Sequence, residues 1–411
     1  MNGSKGHCPW WGSKGHCPWR VSGRRPDPLL IYLIAGEPSG DQLGARLMRA
    51  IRRRRPDVAF AGVGGAAMAA EGCKSLFPMS DLSVMGFLEV LPRLRLLKRR
   101  IRETTEDISK QIPDVVVTID SPGFCFRVLR AIAFLRIPRV HYVAPQIWAW
   151  REGRAKHYPG LWERLLCLLP FEPACFARHN LPATFVGHPV LESGADLGCA
   201  ARFRARHNLT PEDRILIVMP GSRRGEISRL LPILRATLEQ LRESVVPVIP
   251  LAGPVADAVV AATSSWMPRP ILIANTEDKH DAFAAASAAL TRSGTSTLEL
   301  AVAGVPMVVT YRANPITIWL VQRMALVKYA SLLNLLSQRE IVPELLQGDA
   351  TPEKLAAALE TILTPEGAAA QRAAFAAPLA MLRPAEGEPS DAAAAAVLDL
   401  IEQSARDHPG A

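Results

Sequence analysis

Residues 33–51 read LIAGEPSGDQLGARLMRAI, and they close the apolar run PLLIYLI at 28–34. A short apolar run, a glycine turn, and then Leu43, Leu47 and Ile51 at four-residue spacing spell strand, turn and helix. A turn of this shape commonly cradles a phosphate on the helix N-terminus. This one carries Glu37 and Asp41, two carboxylates that would repel a phosphate. Gly36 and Gly40 let the backbone come close to a neighbour, and Asp41 is placed to cap the helix.

Working outward, the same rhythm repeats. Strand-like runs lie at 29–35, 58–64, 114–120, 139–145 and 165–170, with helical stretches between them. The pattern restarts at 215–221, 245–253, 270–275, 286–294 and 305–311. Continuous apolar strands alternating with helices predict parallel sheets covered on both faces. Two such series predict an α/β protein with two Rossmann-like domains facing a cleft, where strand C-termini gather. The expected division is an N-terminal domain over 28–190 and a C-terminal domain over 191–365, with GHPVLESGADLG (187–198) as linker. Helices over 366–411 pack either back on the first domain or on a second copy, making a homodimer. GSKGHCPW occurs at 3–10 and again at 12–19. Such polar, Gly/Pro-rich sequence builds no core, so 1–27 is expected to be a disordered extension, with a metal caught by its His-Cys pairs as the alternative.

The chain has 411 residues and a net charge of +9. Half of it is apolar, which excludes a disordered protein, and the positive surplus fits an anionic partner. Seven cysteines occur without a CxxC pair, so a disulfide framework or zinc knuckle is not expected. No run approaches the roughly 20 apolar residues that cross a bilayer, and a signal-peptide core is missing. A cytoplasmic protein that touches a membrane surface is expected.

Four stretches carry chemistry. MPGSRRGEI (219–227) leaves a strand and enters a helix, so Gly221, Ser222 and Arg223 form an anion site or a structural loop with exposed arginines. It lacks the Gly-Lys-Ser/Thr ending of a Walker A loop. TRSGTSTLE (291–299) offers Ser293, Gly294 and Thr295 to phosphate. Glu299, a turn further in, either accepts from a ribose diol or completes a capping box. A DxD motif is lacking, so leaving-group charge falls to Arg223 and backbone dipoles, and a metal-independent reaction is expected. IDSPGF (119–124) puts Asp120 at a strand end, as a general base or as a loop and cap residue. HYVAPQIWAWREGRAKH (141–157) is a substrate wall or a core segment.

VMGFLEVLPRLRLLKRRIRE (84–103) interleaves leucines with Arg93, Arg95, Lys98, Arg99 and Arg100, around Leu94 and Leu97. A basic amphipathic segment suits an anionic membrane surface and an acyl chain, and the alternative is a helix with a solvated basic face. With no recognition motif beside it, nucleic acid is not expected.

These stretches resemble the lipid-A-disaccharide synthases, glycosyltransferases of the GT-B fold. AGEPSGDQLGA, GVGG with AAEGC, VMGFLEVL, IDSPGF, HYVAPQIWAW, LPFE, FVGHP, MPGSRRGEI, SGTSTLE, PMVVTYR and SLLNLLSQREIVPELLQ occur in order across residues 29–365. The resemblance implies that UDP-2,3-diacylglucosamine is joined to 2,3-diacylglucosamine 1-phosphate (lipid X), with inversion and release of UDP, at the inner leaflet. It makes Asp120 the candidate base and gives the diphosphate to Arg223 and the 293–295 turn. Glu299 falls to the ribose, and Asn334 to a polar position near the donor. In this fold the N-terminal domain handles the acceptor, so Gly36, Glu37, Ser39 and Gly40 would face sugar hydroxyls. Some relatives have a second acid where this chain has Gly123. The rival readings are a UDP-N-acetylglucosamine 2-epimerase-like enzyme and a non-catalytic nucleotide-sugar-binding protein.

Overall fold

The computed structural model describes residues 28–82, 87–150, 152–312 and 327–407. The duplicated 1–27 segment lies outside them. Two six-stranded sheets, all parallel, organise the chain. The first is built from β1 (Leu30–Ala35), β2 (Ala59–Val63), β3 (Val115–Ile119), β4 (Arg139–Tyr142), β5 (Arg164–Cys167) and β6 (Ala183–Phe185), in the order β2-β1-β3-β4-β5-β6. The second uses β7 (Ile215–Met219), β8 (Val246–Pro250), β9 (Ile271–Ile273), β10 (Ala286–Arg292), β11 (Met307–Tyr311) and β12 (Glu344–Leu346), in the order β12-β11-β10-β7-β8-β9.

Ile31, Leu33 and Ala35 point to one face of the first sheet, where Leu43, Leu47, Met48 and Ile51 of the helix Pro38–Arg54 cover them. Tyr32 and Ile34 point to the other face, toward Ile108, Phe124 and Val128. Burial on both faces explains why these strands read as unbroken apolar runs. Each fully buried Leu or Ile among them contributes about 1.5–3 kcal/mol.

The order of each sheet decides where a site can form. In the first, the chain leaves β1 toward β2 and returns to β3 on the other side of β1. In the second, it moves from β7 through β8 to β9 and returns to β10 on the other side of β7. Helices on opposite faces therefore open a crevice at the C-terminal ends of β1 and β3, and of β7 and β10.

The C-terminal helices divide between the sheets. The helix Pro365–Met381 packs on the second domain through Phe375, and Gln371 bonds the backbone of Met307. The helix Pro389–Asp407 returns to the first, where Ala393, Ala394 and Val397 join the cluster around Leu47. Arg53 pairs with Asp391 at 2.7 Å, and the Ser390 N–H donates to Glu192 at 3.0 Å.

Candidate active site

The turn after β1 and the turn after β3 touch. A Cβ on Gly36 would lie 2.4 Å from the Ser121 hydroxyl oxygen, so only glycine fits there. Asp120 and Ser121 both take left-handed backbone, at φ 50° and 45°. Two such residues in a row are costly for L-amino acids. The Asp120 N–H donates to the Tyr142 carbonyl at 2.9 Å, and the Ser121 carbonyl accepts from Phe124 and Cys125, starting the next helix with Pro122 in its first turn. The chain thus reverses at the strand end. Burial pushes the Asp120 carboxyl up, against a hydrogen bond from the Ser121 backbone.

Of the other residues in the β1 turn, Glu37 and Ser39 are exposed, whereas Gly36 and Gly40 are buried. Gly40 lies against Ile119 and Ala35, and is a packing position in place of the expected substrate-facing one. Asp41 corrects a second expectation. It caps a helix other than its own: its carboxylate accepts from the N–H groups of Gly65 at 2.7 Å, Ala67 at 2.9 Å and Met68 at 3.0 Å. These open the short helix Ala66–Ala70.

In the second domain, the loops after β7 and β10 are tied by one carboxylate. Glu226, buried, accepts from Arg292 Nη1 at 2.7 Å, Arg223 Nη1 at 3.2 Å and the Ser222 N–H at 3.3 Å. Gly221, at φ 116°, has its missing Cβ only 2.6 Å from Glu226 Oε2. The helix Arg224–Gln240 leaves its first N–H groups at this loop. Ser293 is held from within: its N–H donates to Thr310 and its hydroxyl to the Ala330 carbonyl. Thr295 opens the helix Ser296–Val302 without a side-chain cap bond, and Glu299 pairs with Lys279 Nζ at 3.1 Å, so the alternative capping box does not form. Gly294 lies beneath the Arg292 guanidinium. The sequence reading missed Arg292, Glu226 and Lys279, although the first two stand inside the quoted motifs. Each is recognisable only once the loops are side by side.

Asn334 also departs from expectation. It is buried, donates to the Val342 carbonyl and Glu344, and accepts from the N–H groups of Ile341 and Val342. Four bonds use its full capacity, so it shapes the 338–344 loop and has none left for a donor.

One carboxyl reports on both domains. Glu37, exposed but flanked by protein on one side, is pushed up by this partial desolvation and then by the charge of Asp120, and pulled down by Arg223 from the second domain. The β1 and β3 turns are acidic, and the β7 and β10 loops are basic. Glu37 thus lies within electrostatic reach of a carboxylate of its own domain and of an arginine of the other. Carboxylates thus gather at the strand ends of the first sheet, and arginines at those of the second.

The aromatic segment starting in β4 is core in part: His141, Tyr142, Ala144 and Ile147 are buried, whereas Gln146, Arg154, Lys156 and His157 are exposed. Trp148 donates to Glu172 at 3.0 Å and packs edge-on to Phe171, against the second domain's cluster. On the helix Phe87–Gln111, Leu94, Arg95, Lys98 and Arg99 are exposed, while Leu97 packs inward. The side chain of Arg93 lies outside the described residues. Arg100 does not belong to the surface set. It pairs with Asp81 and Glu103 and stacks on Phe77, 4.6 Å from the ring centre. Among the described residues, no helix is long and apolar enough to cross a membrane, and no group of three or more His, Cys, Asp or Glu is placed to hold a metal.

The chain has clear relatives. A family model described as lipid-A-disaccharide synthetase matches residues 31–389. A lipid-A-disaccharide synthase of Granulibacter bethesdensis is 55% identical over 389 residues, covering 91% of this chain and 99% of that protein. One from Gluconobacter oxydans is 53% identical over 378 residues, covering 91% of each. Among solved structures, the UDP-GlcNAc 2-epimerase of Neisseria meningitidis bound to UDP-GlcNAc aligns at TM-score 0.58 and 14% identity, over 91% of this chain and 99% of that one. MurG of Acinetobacter baumannii aligns at TM-score 0.51 and 16% identity, over 92% and 100%. At such identities the likeness speaks for the GT-B fold alone. Matched along nearly its whole folded length, and sharing more than half its residues with these relatives, the chain belongs to the lipid-A-disaccharide synthase family.

Proposed function

We propose that the chain joins UDP-2,3-diacylglucosamine to the 6-hydroxyl of 2,3-diacylglucosamine 1-phosphate, giving a β-1,6-linked disaccharide phosphate and UDP. Asp120 takes the proton of the 6-hydroxyl as that oxygen attacks the anomeric carbon. The bond from this carbon to the diphosphate breaks, its electron pair stays on the phosphate oxygen, and the centre inverts. Arg223 and the open N–H groups after β7 and β10 receive the growing charge. Glu37 and Ser39 hold acceptor hydroxyls, and Glu299 the ribose. The reading rests on family membership and is supported by the electrostatics of Glu37, which feels the charge of Asp120 in its own domain and of Arg223 in the other.

The charge is supplied by arginine, so the reaction needs no metal ion. Both substrates are acylated and anionic, and the exposed face of Leu94, Arg95, Lys98 and Arg99 rests on the inner leaflet as a peripheral contact. The helix Pro389–Asp407 is satisfied within the chain, so a homodimer would use another surface.

Product formation tests this. Purified protein is given both substrates in detergent with EDTA, and the tetra-acyl disaccharide phosphate is sought by mass analysis. Its appearance supports substrate class and metal independence together. Folded protein that binds UDP without making it would sink the reading, and UDP-N-acetylglucosamine epimerisation would be assayed next.

A further inference from the structure

Arg292 is the last residue of β10 and sits at the crevice of the second sheet. Its stem passes the bare face of Gly221, whose missing Cβ would lie 3.0 Å from Arg292 Cδ. Its guanidinium then lies over Gly294, where a Cβ would come 3.3 Å from Nη2. The side chain is therefore threaded between the two glycine loops, and a side chain at either glycine would displace it. Nη1 is spent on Glu226 at 2.7 Å, and this carboxylate also receives Arg223 and the Ser222 N–H. Glu226 is one negative charge among Arg223, Arg224 and Arg292. The cluster keeps a positive surplus at the place where the loops after β7 and β10 meet.

The two arginines share Glu226 but differ in exposure. The Arg223 side chain is 67% exposed, whereas that of Arg292 is 21% exposed. A guanidinium presents five donors in a rigid fork. Anchored at one edge, Arg292 has its other edge fixed before any ligand arrives. That is what leaving-group stabilisation requires: a cation whose position is set in advance.

We infer that Arg292 is a binding residue for the diphosphate of the nucleotide-sugar donor, clamped in place by Glu226, with Arg223 as its more exposed companion. Glu226 is a positioning residue: it sets the arginine and does not touch the anion. The inference rests on the reading of the second domain as the holder of a nucleoside diphosphate, and it deepens that reading.

The test separates phosphate from nucleoside. UDP and uridine are titrated by calorimetry into wild type, Arg292→Met and Arg292→Lys, and donor and acceptor KM are measured with kcat. Arg292→Met should weaken UDP by about tenfold or more and leave uridine within about twofold. It should also raise the donor KM or lower kcat, with the acceptor KM unchanged. Arg292→Lys should recover part of the UDP loss, because the charge returns without the fork. Glu226→Gln should weaken UDP by less than Arg292→Met. UDP binding unchanged in folded Arg292→Met would overturn the inference, and so would equal loss of UDP and uridine in both Arg292 variants, which marks a structural role. Wild-type protein that binds neither would sink the nucleotide-sugar reading itself, a result distinct from both.

Discussion

The indole of Trp148 donates a 3.0 Å hydrogen bond to Glu172, and Glu172 also accepts from the N–H groups of Leu168 and Leu169. Trp148 packs against the second domain's core, so a buried carboxylate of the first domain positions an interdomain contact. Burial outweighs the three donors and pushes Glu172 from an ordinary 4.5 up to about 7.

A pH dependence of stability follows. Between about 4.5 and 7 the folded protein keeps a proton that the unfolded chain has lost. Stability from this group is complete below 4.5 and falls as pH rises toward 7, by at most about 3 kcal/mol. Denaturant unfolding of wild type and Glu172→Gln at pH 5 and pH 8 measures it. The difference between the two proteins should shift by a kcal/mol or more across that range, on the order of the linkage limit. A constant difference would mean that Glu172 does not titrate there.

Asp41 offers a cleaner separation of fold from chemistry. With the carboxylate gone, three N–H groups at the start of the helix Ala66–Ala70 lose their acceptor. Asp41→Ala should cost about 2–3 kcal/mol of stability. Turnover per folded molecule, measured well below the melting temperature, should stay within about threefold of wild type because Asp41 faces the core. A variant as stable as wild type would show that the cap contributes nothing.

Asp41 also marks how far the sequence could be read. The helix spacing of Leu43, Leu47 and Ile51 was visible because it is local. The partner of Asp41 was not, because Gly65 and Met68 belong to another element brought close by the β1–β2 pairing. The same holds for Arg292, whose meaning depends on Glu226, 66 residues away. β6 and β12 are short and only partly buried, so neither leaves a continuous apolar run. The positions of Asp120 and Arg223 just past β3 and β7 were legible because each follows a long apolar strand run. Asn334 was singled out by resemblance, and its saturated hydrogen bonds appear only in three dimensions.

On the proposed mechanism, Asp120→Asn should remove the base and leave UDP binding intact. Loss of kcat by about 10²–10⁴-fold is expected, with UDP affinity within about twofold of wild type, since Asp120 is on the first sheet and the cradle on the second. Burial raises the Asp120 carboxyl, so the acidic limb of kcat/KM in wild type should lie above the ordinary carboxylate range. Activity would be lost as pH falls through that limb, because a base must be ionised. Near-normal turnover of Asp120→Asn would rule out the assignment.

The exposed basic face of the helix Phe87–Gln111 makes the last prediction, and Arg100 sharpens it. Arg95, Lys98 and Arg99 point to solvent, whereas Arg100 is turned to Asp81, Glu103 and Phe77. If the face meets anionic lipid, each exposed charge is worth about 1 kcal/mol near the surface. The triple change of Arg95, Lys98 and Arg99 to Glu should then abolish sedimentation with phosphatidylglycerol vesicles at moderate salt. Arg100→Ala should leave sedimentation unchanged and instead lower thermal stability, by about 1–2 kcal/mol, through loss of its ion pairs and its ring contact. Equal vesicle binding by wild type and the triple variant would refute the membrane contact. Loss of binding in Arg100→Ala alone would place the lipid on the other side of the helix, among Asp81 and Phe77.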